Sequence, residues 1–146
     1  MRPLEAAIAP QLKSAGFAKK ARTWWRRTGE TIHVLNLQKS SFGERLYVNL
    51  GVYLTALGAE SSPPHNRCHV QARLECVADP AREAAIASAE SDKTPAPALV
   101  EAVVADGVAW FDTLHSQEGI RSYLESGGAS KCLVLAAVRQ LVSAPE

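Results

Sequence analysis

Residues Leu35 to Tyr53, LNLQKSSFGERLYVNLGVY, decide how this chain folds. They read as two β-strands joined by a polar turn, and the second strand alternates almost without interruption. Leu46, Val48, Leu50, Val52 and Leu54 point one way, while Tyr47, Asn49, Gly51 and Tyr53 point the other. Strand side chains repeat every two residues, so this pattern makes one buried face and one polar, aromatic face. The first face is a core. The second is where a function can sit.

Upstream of the hairpin the alternation changes phase. Ile32 and Val34 share one parity with Asn36 and Gln38, whereas Leu35 and Leu37 take the other. A β-bulge near Val34 would bring all four apolar residues onto one face. Thr23 to Arg27 gives a short strand with Thr28-Gly29 as a tight turn, and the adjacent Trp24 and Trp25 then face opposite ways. Leu4, Ile8 and Leu12 recur every fourth residue and predict an amphipathic helix from about Pro3 to Ala15. Pro10 should kink or divide it, Gly16 should stop it, and Phe17 should fold back onto the core.

Downstream, Gly58 to Arg67 with its Pro63-Pro64 pair reads as an exposed loop. Cys68 to Cys76 gives a fourth strand, with Cys68, Val70, Ala72, Leu74 and Cys76 inward and His69, Gln71, Arg73 and Glu75 outward. The rest is helical. Asp79-Pro80 is an N-cap and first-turn pair for a short helix through about Ala89. Leu99, Val103, Val108, Phe111 and Leu114 stripe a longer helix, and Ile120, Tyr123 and Leu124 mark a short one ending at Gly127-Gly128. Ser130 is expected to cap the last helix, with Leu133, Val134, Ala137, Val138 and Leu141 buried. The predicted fold is α+β: an N-terminal helix, a four-stranded antiparallel meander, and C-terminal helices packed on one face. One domain is expected over residues 1–146, with 1–76 carrying the helix and sheet and 79–143 mainly helical.

A chain of 146 residues, 47% hydrophobic and 21% charged, suits one globular domain. No apolar run nears the ~18 residues of a membrane span, and the N-terminus lacks the pattern of a secretory signal. Cys68, Cys76 and Cys132 have no zinc-like spacing, and Cys68 and Cys76 share the phase of the apolar residues between them, so buried free thiols are expected, which points to the cytoplasm. The net charge of +1 hides an asymmetry. Through Glu75 there are eleven Lys and Arg against five Asp and Glu, a balance of +6; beyond it, five against ten leave −5.

Several motifs occur in a recognisable order: LKSAGFAKKARTWWRR, then IHVLNLQKSSFGERLYVNLGVY, then CHVQARL. Over roughly Leu12 to Leu74 the chain resembles the bacterial family known as domain of unknown function 4304. That family shows a leading helix, a GF-K-K entry, a Q-K-S hairpin, an N-x-G strand and a C-H-x-x-x-R-L strand. The resemblance implies the fold and leaves the chemistry unassigned.

Candidate site residues therefore come from the outward strand faces. Asn36, Gln38, Tyr47, Asn49, Tyr53, His69, Gln71 and Arg73 would form one polar patch beside Trp25. Amides, phenols and a guanidinium offer directional hydrogen bonds, and a tryptophan adds contact area. A solvated face more often carries Lys, Glu and Thr. The first expectation is thus a protein-interaction module, of a partner or toxin-immunity type, that binds through this face. A second is nucleic-acid binding through Lys19, Lys20, Arg22, Arg26 and Arg27 in the basic, Trp-containing segment 13–27. A third is a small-molecule or enzymatic site at His69 and Arg73. His65, Cys68 and His69 are too few ligands for zinc, so neither metal nor cofactor is expected. Asp112, His115 and Ser116 read as surface and capping residues, so no catalytic set is expected. No membrane partner is anticipated, and oligomeric state is not legible.

Overall fold

The computed structural model describes residues 2–143. Helix α1 (Pro3–Ser14) runs unbroken through Pro10 and buries Leu4, Ile8 and Leu12. It ends as the sequence predicts. Gly16 takes a left-handed conformation at φ 100°, its N–H bonds the Lys13 carbonyl at 3.0 Å, and the Phe17 N–H bonds that of Leu12 at 3.0 Å. Those two bonds satisfy the last carbonyls of the helix and turn Phe17 onto the core.

The sheet is an antiparallel meander of six strands, not four: β1 (Ala18–Lys20), β2 (Thr23–Arg27), β3 (Thr31–Lys39), β4 (Leu46–Leu54), β5 (Val70–Arg73) and β6 (Leu133–Val134), in that spatial order. The two extra strands are three and two residues long, too short to carry an alternation signal. A second correction concerns β3. It pairs with β4 in one continuous register from Thr31↔Leu54 to Lys39↔Leu46, with no bulge at Val34. Ile32 and Val34 stay on the outer face and are buried there, because that face is covered over part of its area.

The fourth strand is also shorter than expected. It stops at Arg73, and Leu74–Val77 forms a helical turn, α2. Leu74 swings into the core, where its side chain would lie 3.7 Å from a Cβ placed on Gly107. Asp79 accepts a hydrogen bond from the Ala81 N–H at 3.0 Å and caps a 3₁₀ turn leading into α3 (Glu83–Ala87). α4 (Pro97–Glu101), a π-helical stretch (Ala102–Gly107) and α5 (Val108–Thr113) follow one another without a break. Ser116 caps α6 (Gln117–Glu125) by accepting from the Gly119 N–H. Ser130 does not cap the last helix: it lies in a 3₁₀ turn, β6 follows, and α7 spans Ala136–Ser143. Of the residues expected buried there, Leu133 and Ala137 are exposed, Val134 and Leu141 are half-buried and only Val138 is buried; Val142, which was not among them, also faces the core.

The main core fills the space between the inner sheet face and the helices. Trp24, Leu35, Leu50, Leu54, Phe111 and Ile120 are each at most 1% exposed. A separate small cluster of Ile32, Val34, Tyr53 and Cys68, with Trp25 packed against it, lies on the other face. Of the adjacent pair, Trp24 lies in the main core and Trp25 on the outer face. Among the described residues no helix is long and apolar enough to cross a membrane.

Candidate functional site

Strand register arranges the outer face in rows. Trp25, Val34, Gly51, Gln71 and Leu133 form one row, Thr23, Asn36, Asn49 and Arg73 the next, and Gln38 and Tyr47 the last. The Pro-containing loop 58–67, expected to be exposed, folds back over the near end of this face. Pro63 is buried, and its carbonyl accepts from Trp25 Nε1 at 2.8 Å. Cys68 sits directly above Gly51, so close that a Cβ there would meet its Sγ at 2.7 Å. Only a residue without a side chain lets the loop come down onto the sheet.

Tyr53 and His69 belong to this covered half and not to an open patch. Their rings pack at 4.5 Å, the Tyr53 hydroxyl accepts from the Glu60 N–H, and His69 Nδ1 accepts from the Leu54 N–H at 2.9 Å. His69 thus continues the ladder between β4 and β5 with its side chain, and burial lowers its pKa. The Cys68 thiol is pushed up to about 12 by burial and stays protonated and inert. Cys76 is exposed, which corrects the expectation that it is buried alongside Cys68, and Cys132 is half-buried.

The remaining predicted residues do come together. Asn49 Nδ2 donates to Asn36 Oδ1 at 3.1 Å and to Gln38 Oε1 at 2.9 Å, while Asn36 Nδ2 donates to Thr23 Oγ1 at 3.0 Å. This amide chain fixes three side chains before any ligand arrives. Tyr47 carries a guanidinium on its ring from each of two strand ends, Arg73 at 4.2 Å and Arg45 at 4.9 Å. A shallow depression of about 270 Å³ opens between Gln38, Asn49, His65, Gln71, Arg73 and Leu133. His65, and not His69, is the histidine beside Arg73; burial and the Arg73 charge both lower its pKa.

Sequence reasoning missed Arg45, His65 and Leu133 as neighbours of this site. Arg45 shares the parity of Tyr47 and could have been found by extending the strand one residue. His65 is placed by the fold of a loop and Leu133 by a two-residue strand, so neither had a periodic signal. Phe42, at the tip of the β3–β4 hairpin, is 100% exposed.

The basic segment is largely committed to the fold itself. Lys19 and Arg22 each lie 3.4 Å from the buried Glu5, Arg26 donates to Asp112 at 2.7 Å, and Arg27 donates to Ser62 Oγ at 3.0 Å. Lys20 alone among the five predicted phosphate contacts makes no such bond among the described residues. Trp25 is covered by the loop, so its ring is not laid open for base stacking.

Beneath the sheet, on the helix side, lies a polar cluster that sequence reasoning did not single out. His33 is fully buried and stacks on Phe111 at 5.0 Å. Its Nδ1 faces Arg26 Nε and Nη2 at 3.2 and 3.1 Å, and its Nε2 lies 3.1 Å from the Leu114 carbonyl. That arrangement needs a neutral ring with the proton on Nε2. Burial, aided by the Arg26 charge, lowers its pKa to about 4. The cluster is closed to solvent at His33 and ties β3 to the end of α5. Among the described residues no group of three or more His, Cys, Asp or Glu is arranged to hold a metal ion.

Residues 8–113 match the family model described as Domain of unknown function (DUF4304). The chain belongs to that family. The DUF4304 match takes in all of the amide chain, Arg73 and the covering loop, and it stops short of β6 and Leu133. No curated protein and no solved structure matches the chain.

Proposed function

We propose that this DUF4304 chain is a binding module that engages a protein partner through the open half of its outer sheet face. The observation that carries the reading is the pre-set geometry of that half. Asn36, Gln38 and Asn49 are held by their own hydrogen bonds, and Arg73 and Arg45 rest on Tyr47. Side chains already fixed lose little freedom on binding, and Tyr and Arg are the types that dominate interface energetics. Leu133, 56% exposed, adds apolar area on the same face. The face is open, with one shallow depression of about 270 Å³, a shape that suits a surface covering another macromolecule. An immunity-type role, in which the module blocks a toxin or enzyme by covering it, is the specific form of this proposal.

The test is capture from a lysate of the native host by the immobilised chain, in three versions. Wild type should retain one protein in near-stoichiometric amount. Gln38→Trp sets a bulky ring on the open half and should abolish retention, while Glu118→Trp, on the exposed side of α6, should leave it intact. Equal retention by both variants would sink the proposal.

A further inference from the structure

We infer that the open half holds a carboxylate-binding site centred on Arg73, and that it takes an Asp or Glu side chain from an acidic, partly apolar segment of the partner. The inference rests on the protein-partner reading above and names the chemistry of that partner.

Arg73 differs from most arginines of the chain. Arg22, Arg26, Arg67, Arg82 and Arg121 each meet a carboxylate within the fold. Among the described residues the Arg73 side chain makes neither a hydrogen bond nor an ion pair. Arg73 as a whole is half-buried, and the central carbon of its guanidinium lies 4.2 Å over the Tyr47 ring. Stacking uses the face of the guanidinium and leaves its in-plane N–H donors for a planar, two-oxygen acceptor.

The wall around it suits the same acceptor. No acidic residue lines the depression. Gln38 gives its Oε1 to Asn49, which turns its own N–H₂ outward as a second donor. Gln71 spends its amide donors on the Asn66 and Cys68 carbonyls at 3.2 and 3.0 Å, so this side of the wall is fixed to the covering loop. Leu133 forms an apolar rim.

Size and charge select among anions. A space of about 270 Å³ lies below the roughly 300–1,000 Å³ usual for whole small-molecule ligands, and it suits one acidic side chain with its methylenes. His65 is held toward its neutral form by burial and by Arg73. Arg45 lies on the same Tyr47 ring but does not line the depression, so Arg73 is the one charge inside it, which balances a carboxylate and leaves a phosphate dianion half-compensated.

The experiment is a titration of the full chain followed by NMR at the Arg73 Nε–H and the Gln38 side-chain amide. The probes are the blocked peptide acetyl-Leu-Glu-Leu-amide, its Gln analogue, acetate and inorganic phosphate. The Glu peptide should shift both signals and saturate. The Gln analogue, and the Glu peptide on Arg73→Gln, should bind weaker by about tenfold or more, with Arg73→Lys in between because it keeps the charge without the fork. Acetate should bind at the same place more weakly than the Glu peptide.

No saturable shift, or equal binding of the Gln analogue, would overturn the site. Tighter binding of phosphate would overturn the carboxylate class, and acetate as tight as the peptide would overturn the side-chain source. A failed titration beside capture that Gln38→Trp still blocks leaves the partner reading standing and removes this one. Peptide binding at Arg73 beside capture that ignores Gln38→Trp supports the site and removes the partner reading.

Discussion

The two halves of the outer sheet face share the same strands and differ in what lies above them. Along β3, Ile32 and Val34 lie beneath the loop and are buried, whereas Asn36 and Gln38 emerge beyond its edge. Along β4, Tyr53 and Gly51 lie beneath it; beyond it Asn49 is buried by the amide neighbours it bonds, and Tyr47 is half-exposed. Side-chain chemistry changes at the rim of the loop and not at a fault in the strand. A switch from apolar to polar residues of one parity therefore marks where a cover ends.

That contrast is easiest to break by cutting into the covered half. Ile32→Ala removes packing beneath the loop and should cost about 2–5 kcal/mol, read from denaturant unfolding. A cost near zero would mean that the loop is not seated.

Acid sharpens the comparison from the other side of the sheet, because His33 is held neutral by burial. Its folded pKa of about 4 lies below the ordinary 6.5, so as pH falls the unfolded chain binds its proton first. Its contribution is complete above pH 6.5 and is lost as pH falls toward 4. Integrated over that window the loss is about 3 kcal/mol. His65 and His69 shift in the same direction and add to it. Stability measured against pH should show this slope in wild type and a shallower one in His33→Gln.

A smaller effect probes the seam itself. Trp25→Phe keeps an aromatic ring under the loop and deletes the Nε1 bond to the Pro63 carbonyl. The expected loss is about 1 kcal/mol, with faster amide exchange in residues 58–67. The smallest effect belongs to the open half: Gln38→Ala, at an exposed position, loses the bond it accepts from Asn49 and should cost no more than about 1 kcal/mol.

Legibility in the sequence followed the range of the signal. The α1 stop at Gly16, the β3–β4 hairpin and the Asp79 cap are written in residues adjacent to the structure they make, and all three are found. The polar patch was legible for the same reason, since parity along β3, β4 and β5 places Asn36, Asn49 and Arg73 in one row. What the alternation left open was which elements lie over each face. The parity of Ile32 and Val34 suggested a bulge because a loop with two prolines gave no sign that it would fold back. Cys68 was assigned inward by continuing the β5 alternation, yet β5 begins only at Val70 and the thiol belongs to the loop. Tyr53 and His69 shared the parity of the patch, and the same loop withdrew them from it.

The last strand of the sheet comes from well beyond residues 8–113, which match the family model. β6 pairs Val134 with Val70 and Leu133 with Gln71, and the Leu135 N–H bonds the His69 carbonyl at 3.0 Å. Those few bonds cap the outer backbone edge of β5. A version of the chain cut after Thr113 would keep the family-matched segment and lose this cap. The cut would also take Leu114, Ile120 and Val138 out of the core; the exposed edge would offer a ready template for a strand of another molecule, and such a fragment should self-associate more strongly than the longer chain.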